Sequence, residues 1–234
     1  MRRLVEPELL DALPAADPSA VRSRLDLRRL NRIMGHARIL ARLIRQHADG
    51  VIARRRPLRV VELGAGDGTL LLRLAREWSA RGVSVEATFL DRQGLVSAET
   101  LGSFAASEWT ASNVVMDAFE WLKQSAPVAD IMVANLFLHH FNEGQLQELL
   151  GMAAARTNLF IACEPCRAPL AMVASRLLWF VGCNAVTRHD AAVSVRAGFV
   201  GRELSALWPA DSGWTLGEQP VGWFGHGFLA KRNE

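Results

Sequence analysis

Long apolar runs are missing from this 234-residue sequence. Uninterrupted apolar stretches such as Leu177–Val181 fall far short of the roughly 20 residues that a membrane-spanning helix needs. Near the N-terminus, Arg2 and Arg3 are followed by Glu6 and Glu8, which interrupt what would have to be the apolar region of a signal peptide. We therefore expect a cytoplasmic protein with no membrane span.

Cysteine is also scarce. Three cysteines cannot form a fully paired disulfide framework. Cys163 and Cys166 fall at the end of a predicted strand, where small buried hydrophobic residues are common. We expect reduced thiols, and we predict no metal site. The sequence also contains neither an internal repeat nor a low-complexity tract, which excludes a repeat architecture.

The hydrophobic content of 50% is enough, at this length, for one full-sized core and an appended segment. From Leu58 onward, short apolar runs alternate with helical stretches, which is typical of a parallel sheet covered on both faces. Strands are predicted at about 58–63, 84–90, 112–116, 129–134 and 158–163, helices at about 68–80, 93–106, 119–125, 143–156, 168–182 and 191–208, and hairpin strands at about 213–218 and 223–230, separated by Pro220. The prediction is an α/β fold with a seven-stranded, mostly parallel, doubly wound sheet and a C-terminal antiparallel hairpin.

Basic residues are concentrated at the N-terminal end. Residues 1–56 hold thirteen arginines against six acids, although the net charge of the whole chain is only +3. Such a segment can meet RNA phosphates, a membrane surface or an acidic substrate, or it can be the solvated face of a helix. An irregular lead-in is predicted to end at Ser19, which caps a long amphipathic helix. The apolar residues of that helix recur at helical spacing: Leu30, Ile33, Met34, Ala37, Leu40, Ala41 and Ile44.

A glycine-rich loop follows the first predicted strand, in the segment Val60–Gly68. Glycines allow a sharp turn and the close approach of a ligand, and the helix that follows offers unpaired N–H groups. The spacing differs from that of the dinucleotide fingerprint, because Thr69 stands where its third glycine would fall. Glu62 and Asp67 would repel a pyrophosphate, whereas they suit a ligand that carries an ammonium or a sulfonium group.

The segment Glu62–Gly68 resembles the E-x-G-x-G-x-G motif of the class I S-adenosylmethionine-dependent methyltransferases, and the resemblance extends over roughly residues 58–231. It implies that S-adenosylmethionine is the cofactor and that a methyltransferase domain spans residues 57–234. The cofactor-binding residues that it implies in and after the first three strands are Glu62, Gly64, Ala65, Gly66, Gly68, Asp91, Arg92, Asp117 and Ala118. Asp91 falls where an acid is expected to bind the ribose hydroxyls. Asp117 is equally compatible with a helix cap.

The fourth strand leads into Asn135–Phe141, which resembles the fourth motif of small-molecule methyltransferases of bacterial secondary metabolism. Asn135 is therefore assigned to the cofactor. The segment lacks the N-P-P-[YF] pattern of enzymes that methylate the amines of flipped bases. His139 and His140 are candidates for the general base that removes a proton from an acceptor hydroxyl, or else are packed histidines.

His189 and Glu164 are also predicted to lie near the acceptor site. His189 is a third catalytic candidate, at the mouth of the pocket, next to Asp190, which is predicted to cap a helix. Glu164 closes the fifth strand, where it either orients the acceptor or pairs as a buried carboxylate with an arginine such as Arg167.

The segment Arg28–Gly35 resembles the helix that covers the cofactor as a lid in small bacterial methyltransferases. Residues 1–56 are therefore predicted to be a helical lid, in which Asn31 and Met34 contact the cofactor. Gly35 costs a helix about 1 kcal/mol relative to alanine, so we expect it to lie close to a ligand or to a neighbouring helix.

Four functions remain in competition. The leading hypothesis is O-methylation of a small, lipophilic, aromatic or polyketide-like metabolite, so the expected partner is a small molecule rather than a nucleic acid. RNA methylation is favoured by the basic N-terminus and by Pro165–Cys166, but the fourth motif lacks the Pro-Cys pair of RNA cytosine methyltransferases. The hypotheses from other classes are a nicotinamide-dependent oxidoreductase and a noncatalytic cofactor-binding protein.

Overall fold

The computed structural model describes residues 1–47, 57–79, 82–107, 109–124, 127–211 and 213–233. Its centre is a seven-stranded sheet with the strand order β3-β2-β1-β4-β5-β7-β6. The strands are β1 Leu58–Leu63, β2 Val85–Asp91, β3 Thr110–Val115, β4 Ala129–Asn135, β5 Thr157–Pro165, β6 Trp214–Val221 and β7 Gly225–Arg232. The first five strands pair in parallel, and β7 pairs antiparallel with both β5 and β6. The predicted fold class is confirmed.

The helices lie between and around these strands. They are α1 Leu9–Ala12, α2 Pro18–Met34, α3 His36–His47, α4 Thr69–Ser79, α5 Ala98–Ala105, α6 Ala118–Lys123, α7 Glu143–Arg156, α8 Pro169–Arg176, α9 Ala185–Ala197 and α10 Glu203–Leu207, with short 3-10 helices at Leu138–His140 and Leu178–Val181. No helix within the described ranges has the length and apolar character needed to cross a membrane.

Two hydrophobic cores lie on opposite faces of the sheet because successive side chains of a strand point in opposite directions. Along β4, Ile131 and Val133 belong to one core, and Met132 and Ala134 belong to the other. The first core is covered by α3 and α4, and the second by α7. The strand order reverses at β1, which has β2 on one side and β4 on the other, and ligands bind at such a point beyond the carboxyl ends of the strands.

The N-terminal segment differs from its prediction in its helix cap, in the continuity of its long helix, in the surroundings of Gly35 and in the structure of its lead-in. The cap of α2 is Asp17, which accepts hydrogen bonds from the backbone N–H groups of Ser19 and Ala20, so the assignment of the cap to Ser19 was wrong. Gly35 divides the long helix into α2 and α3 with a left-handed φ of 72°. A Cβ at Gly35 would meet no protein atom within 4 Å, so the expected close approach to a neighbouring helix is wrong, and the alternative of a close approach to a ligand stays a prediction. The lead-in contains α1, and the predicted junction at residue 57 adjoins residues 48–56, which lie outside the described residues.

Two boundaries in the C-terminal part also differ from prediction. The helix expected from residue 191 begins at Ala185, after the cap Asn184, which places Asp190 inside α9 rather than at its start. Pro220 lies within β6 rather than in the hairpin turn. Because β6 is an edge strand of the sheet, it tolerates a residue without an N–H group.

Candidate functional site

The glycine loop joins β1 to α4 in a backbone conformation that favours glycine. Gly64, Gly66 and Gly68 have φ values of 64°, 55° and 72°. Side chains with a Cβ are strained in this left-handed region. Ala65, which lies between two of the glycines, donates its N–H to the carbonyl of Leu90 at 3.1 Å and so fixes the loop against β2.

The loop packs closely against the fourth motif. A Cβ at Gly64 would lie 2.3 Å from Cδ2 of Phe137, so the ring of Phe137 requires glycine at this position. Leu136, the residue before Phe137, has a positive φ of 53°, which is rare for a residue with a side chain and is typical of functional loops. The glycine loop after β1 and the segment after β4 therefore restrict each other's conformation.

Asp91 ties the loop to the end of β2. One carboxylate oxygen accepts a hydrogen bond from Gly66 N–H at 2.9 Å, and the other accepts one from Gln93 N–H at 2.8 Å. Arg92 follows on the exposed surface. Asp67 lies on the other side of the loop and forms an ion pair with Arg28 of α2. The N-terminal helix thus contacts the loop that it was predicted to cover.

Four buried polar atoms of the described residues have no hydrogen-bond partner in this region: Asn31 Oδ1, His36 Nδ1, Glu62 Oε2 and Asn135 Oδ1. Buried polar groups are normally paired, so a group of unpaired ones marks a place that a ligand or an ordered water can fill. Glu62 is 2% exposed. Burial, together with the negative charges of Asp67 and Asp91, raises the pKa of Glu62 well above its ordinary value.

His36 is a site residue that the sequence analysis missed. It is the first residue of α3 and is buried, and burial lowers its pKa to about 4, against the opposing effects of the Asn135 side chain and Glu164. The imidazole is therefore neutral at neutral pH. A signal was present, because His36 interrupts the apolar positions of the lid-like segment directly after Met34 and Gly35.

Asp117, at the end of β3, is a helix cap, which is one of the two roles predicted for it. Its Oδ1 accepts hydrogen bonds from Phe119 N–H at 2.8 Å and Glu120 N–H at 3.4 Å, which makes it the cap of α6. Ala118 is buried next to it. The cofactor contact predicted for Asp117 and Ala118 stays a prediction.

His139 lies between two carboxylates. Its Nδ1 is 2.8 Å from Glu164 Oε2, and its Nε2 is 3.2 Å from Glu8 Oε1. Burial alone would lower the pKa of His139, but the hydrogen bonds to these carboxylates raise it to about 9. Glu164 also accepts backbone N–H groups of Phe137 and Leu138 at 3.0 and 2.9 Å. His139 is therefore a buried imidazolium, held by both ring nitrogens.

His140 differs from His139 in charge and access. Its ring lies 4.3 Å from the ring of His139, and its Nδ1 is 3.4 Å from Asp11 Oδ2. Burial and the positive charge of His139 lower the pKa of His140. With a side chain 25% exposed, His140 is the neutral and more accessible member of the pair.

The N-terminal segment places Glu8 and Asp11 beside these histidines, which was not foreseen. It is held to α9 by Asp190, whose carboxylate accepts the N–H groups of Leu9 and Leu10 at 2.8 and 2.9 Å. In the sequence, Glu8 and Asp11 lie about 130 residues from the fourth motif, so only the folded chain brings them together.

Of the other residues considered near the predicted acceptor site, Glu164 contacts the histidine pair, whereas Arg167 and His189 do not. Glu164 pairs with His139, whereas Arg167 pairs with Glu203 at 2.5 Å, so the considered pairing of Glu164 with Arg167 is wrong. His189 is half exposed on α9, with Nδ1 2.9 Å from Asp190. In the part of the chain that the structure describes, no hydrogen bond or ring contact joins His189 to the other two histidines.

Comparison with known proteins relates this fold to solved structures. No protein-family model and no curated protein matches the sequence. An O-methyltransferase family protein from Burkholderia thailandensis matches with a TM-score of 0.56 and 16% identity over 94% of this chain and 61% of its own. A putative O-methyltransferase from Nostoc punctiforme matches with a TM-score of 0.59 and 14% identity over 95% and 64%. This chain thus spans about three-fifths of the length of these two proteins.

A third structure is similar along nearly its whole length. The plantazolicin methyltransferase BamL, in complex with a triazolic desmethylPZN analog and SAH, matches with a TM-score of 0.64 and 13% identity over 96% of this chain and 93% of its own. At such low identity the likeness is one of fold. The chain has the fold of the class I methyltransferases.

Proposed function

We propose that this protein is an S-adenosylmethionine-dependent methyltransferase that methylates a hydroxyl oxygen of a small, lipophilic, aromatic or polyketide-like acceptor. One observation carries the proposal: the unpaired buried oxygens of Asn31, Glu62 and Asn135 occur beside a left-handed glycine loop, at the point where the strand order reverses. The structures with this fold include proteins described as O-methyltransferases, which supports the choice of oxygen.

The residues present fit the cofactor in charge and in hydrogen bonding. The three unpaired oxygens are acceptors, and the amino group of a methionine moiety is a cationic donor with three N–H groups. Asp67 and Asp91 add negative charge near a ligand that carries a positive sulfur. Burial and the negative charges of Asp67 and Asp91 raise the pKa of Glu62, and a bound ammonium group would lower that pKa again. We assign Asp91, at the end of β2, to the ribose hydroxyls.

We assign the proton transfer to His140. The bound cofactor supplies a methyl group on a positively charged sulfur, so the protein has to position the acceptor oxygen and remove its proton. His139 has a pKa of about 9 and both ring nitrogens occupied, so it has no free site for a proton. His140 is neutral, and Asp11 faces its Nδ1, which leaves Nε2 for the acceptor hydroxyl. His139 and Glu164 act as positioning residues that hold the loop.

We further propose that residues 1–56 form a lid on the cofactor and acceptor sites. The contacts between Arg28 and Asp67 and between Glu8 and His139 support this role, because they join the N-terminal segment to the glycine loop and to the fourth motif. Asn31 and Met34 lie on the same helix as Arg28, so the lid would bring them to the cofactor.

The experiment uses a matched pair of glutamate variants and calorimetric titration with S-adenosylhomocysteine. Glu62→Gln removes the carboxylate without changing the neutral shape of the buried side chain, and we expect affinity to fall at least about tenfold, since one charged hydrogen bond contributes about 1.5–3 kcal/mol. Glu86→Gln changes an exposed glutamate on β2 and is expected to have no effect. Equal affinities for the two variants would contradict the proposed cofactor site. A screen of phenolic and polyketide-like acceptors with S-adenosylmethionine then tests the substrate class.

A further inference from the structure

An exposed apolar surface lies on α8 and the 3-10 helix that follows it. It consists of Leu170, Val173, Leu177, Trp179, Phe180 and Val181, which we call the apolar patch. Leu170 and Val173 share one side of α8, and Leu177 is the cap residue that directly follows it. Trp179 and Phe180 are 54% and 67% exposed, and the centroids of their rings lie 3.8 Å apart. Large exposed apolar surfaces of this kind mark interaction sites.

The charge around the apolar patch is of one sign. Between Glu164 and Asp190 the sequence contains three arginines and no acid. Arg176 lies at the end of α8, and Arg188 is exposed on α9. Arg29 of α2 donates to the carbonyl of Val181 at 2.5 Å and also pairs with the buried carboxylate of Asp26 at 3.6 Å. Arginines that surround exposed aromatic residues match the two layers of a bilayer surface, in which anionic headgroups border an apolar interior.

We propose that the apolar patch and its surrounding arginines form a docking surface for an anionic lipid bilayer. Trp179 and Phe180 enter the boundary between headgroups and acyl chains, a depth that suits aromatic residues. The 3-10 helix of Leu178–Val181 is only four residues long, so this surface lies on the membrane without crossing it.

Charge favours a bilayer over a second copy of this chain as the occupant. In a symmetric dimer the same patch would face itself, so Arg29, Arg176 and Arg188 would approach the same cations of the partner. The acid that lies near them, Asp26, is 3% exposed and accepts the N–H of Asn184, so it is not presented to a partner. An anionic headgroup layer supplies the missing negative charge.

The test is co-sedimentation of the full chain with sucrose-loaded vesicles made of equal parts phosphatidylglycerol and phosphatidylcholine. We expect binding that weakens with salt and is much lower on pure phosphatidylcholine. The double variant Trp179→Ala/Phe180→Ala is expected to lower the partition coefficient at least about tenfold. Arg176→Gln and Arg188→Gln are each expected to lower it about fivefold at low salt.

Trp223→Ala is the matched control, because Trp223 is 88% exposed but lies in the turn between β6 and β7. It is expected to bind vesicles as the unchanged protein does. Circular dichroism melting shows whether each variant is folded. Failure of the unchanged protein to bind, or equal losses from the control and the double variant, would overturn the proposal. So would light scattering that shows a dimer converted to a monomer by the double variant, since the patch would then cover a second copy.

Discussion

Raising the pH from 6.5 to 9 is expected to remove about 3 kcal/mol from the free energy of unfolding, because His139 is an imidazolium only in the folded protein. Its pKa rises from the ordinary 6.5 to about 9 between Glu164 and Glu8. A raised folded pKa means that the stabilisation is fully present below pH 6.5. It is lost as the pH rises through 9, at about 1.36 kcal/mol per pH unit.

Few other groups interfere in this pH range. Burial raises the pKa of Glu164, but the hydrogen bond and charge of His139 and the backbone hydrogen bonds from Leu138 and Phe137 together outweigh burial and lower it. His140 also has a lowered pKa, so both groups keep one charge state above pH 6.5. Burial raises the pKa of the Cys163 thiol, which therefore stays protonated. Glu62, whose pKa is also raised, contributes to the decline as well, so the part of the decline that is missing from a His139 variant is the part that reports on His139.

The assay is urea unfolding at closely spaced pH values, with His139→Gln as the comparison. The unchanged protein should lose stability steadily over this range, and the variant should be less stable at pH 6.5 and lose less stability as the pH rises. Glu8→Gln removes one of the two carboxylates and should end the decline at a lower pH. A flat profile for the unchanged protein would refute the assignment of His139 as an imidazolium and with it the choice of His140 as the base.

Two other predictions concern the loop and the base. Gly64→Ala should abolish detectable binding of S-adenosylhomocysteine in calorimetry. In urea unfolding it should cost more stability than Gly82→Ala, since both glycines are left-handed but only Gly64 has an aromatic ring where the Cβ would lie. Equal losses of stability from the two variants would contradict the packing of Phe137 on Gly64. His140→Gln should lower turnover of an accepted phenol at least about 100-fold while leaving affinity for S-adenosylhomocysteine unchanged, as expected for a general base, whereas His189→Gln should not alter turnover.

The sheet and the glycine loop were predictable because their signals are local. Leu58, Val60, Val61 and Leu63 supply apolar side chains to both faces of a central parallel strand, and β1 has the predicted bounds in the structure. The glycines at 64, 66 and 68 occupy three left-handed positions, and this backbone requirement is visible in the residue types themselves.

The charge state of the histidines was not predictable in the same way. It depends on Glu8, which reaches His139 from 131 positions away in the sequence. Asp190 was expected to cap a helix because its neighbours suggested one, but it accepts the backbone of α1 from the middle of α9. Propensity describes what a residue does for its own helix, whereas these contacts join elements that lie far apart in the sequence.

The central claim, that the glycine loop and its unpaired oxygens bind S-adenosylmethionine, is tested most directly by parallel calorimetric titrations with S-adenosylmethionine, S-adenosylhomocysteine and NAD. We predict one binding site for each of the two adenosylated amino acids and no measurable heat of binding for NAD, because the negative charges of Asp67 and Asp91 repel a pyrophosphate. Preferential binding of NAD would contradict the account.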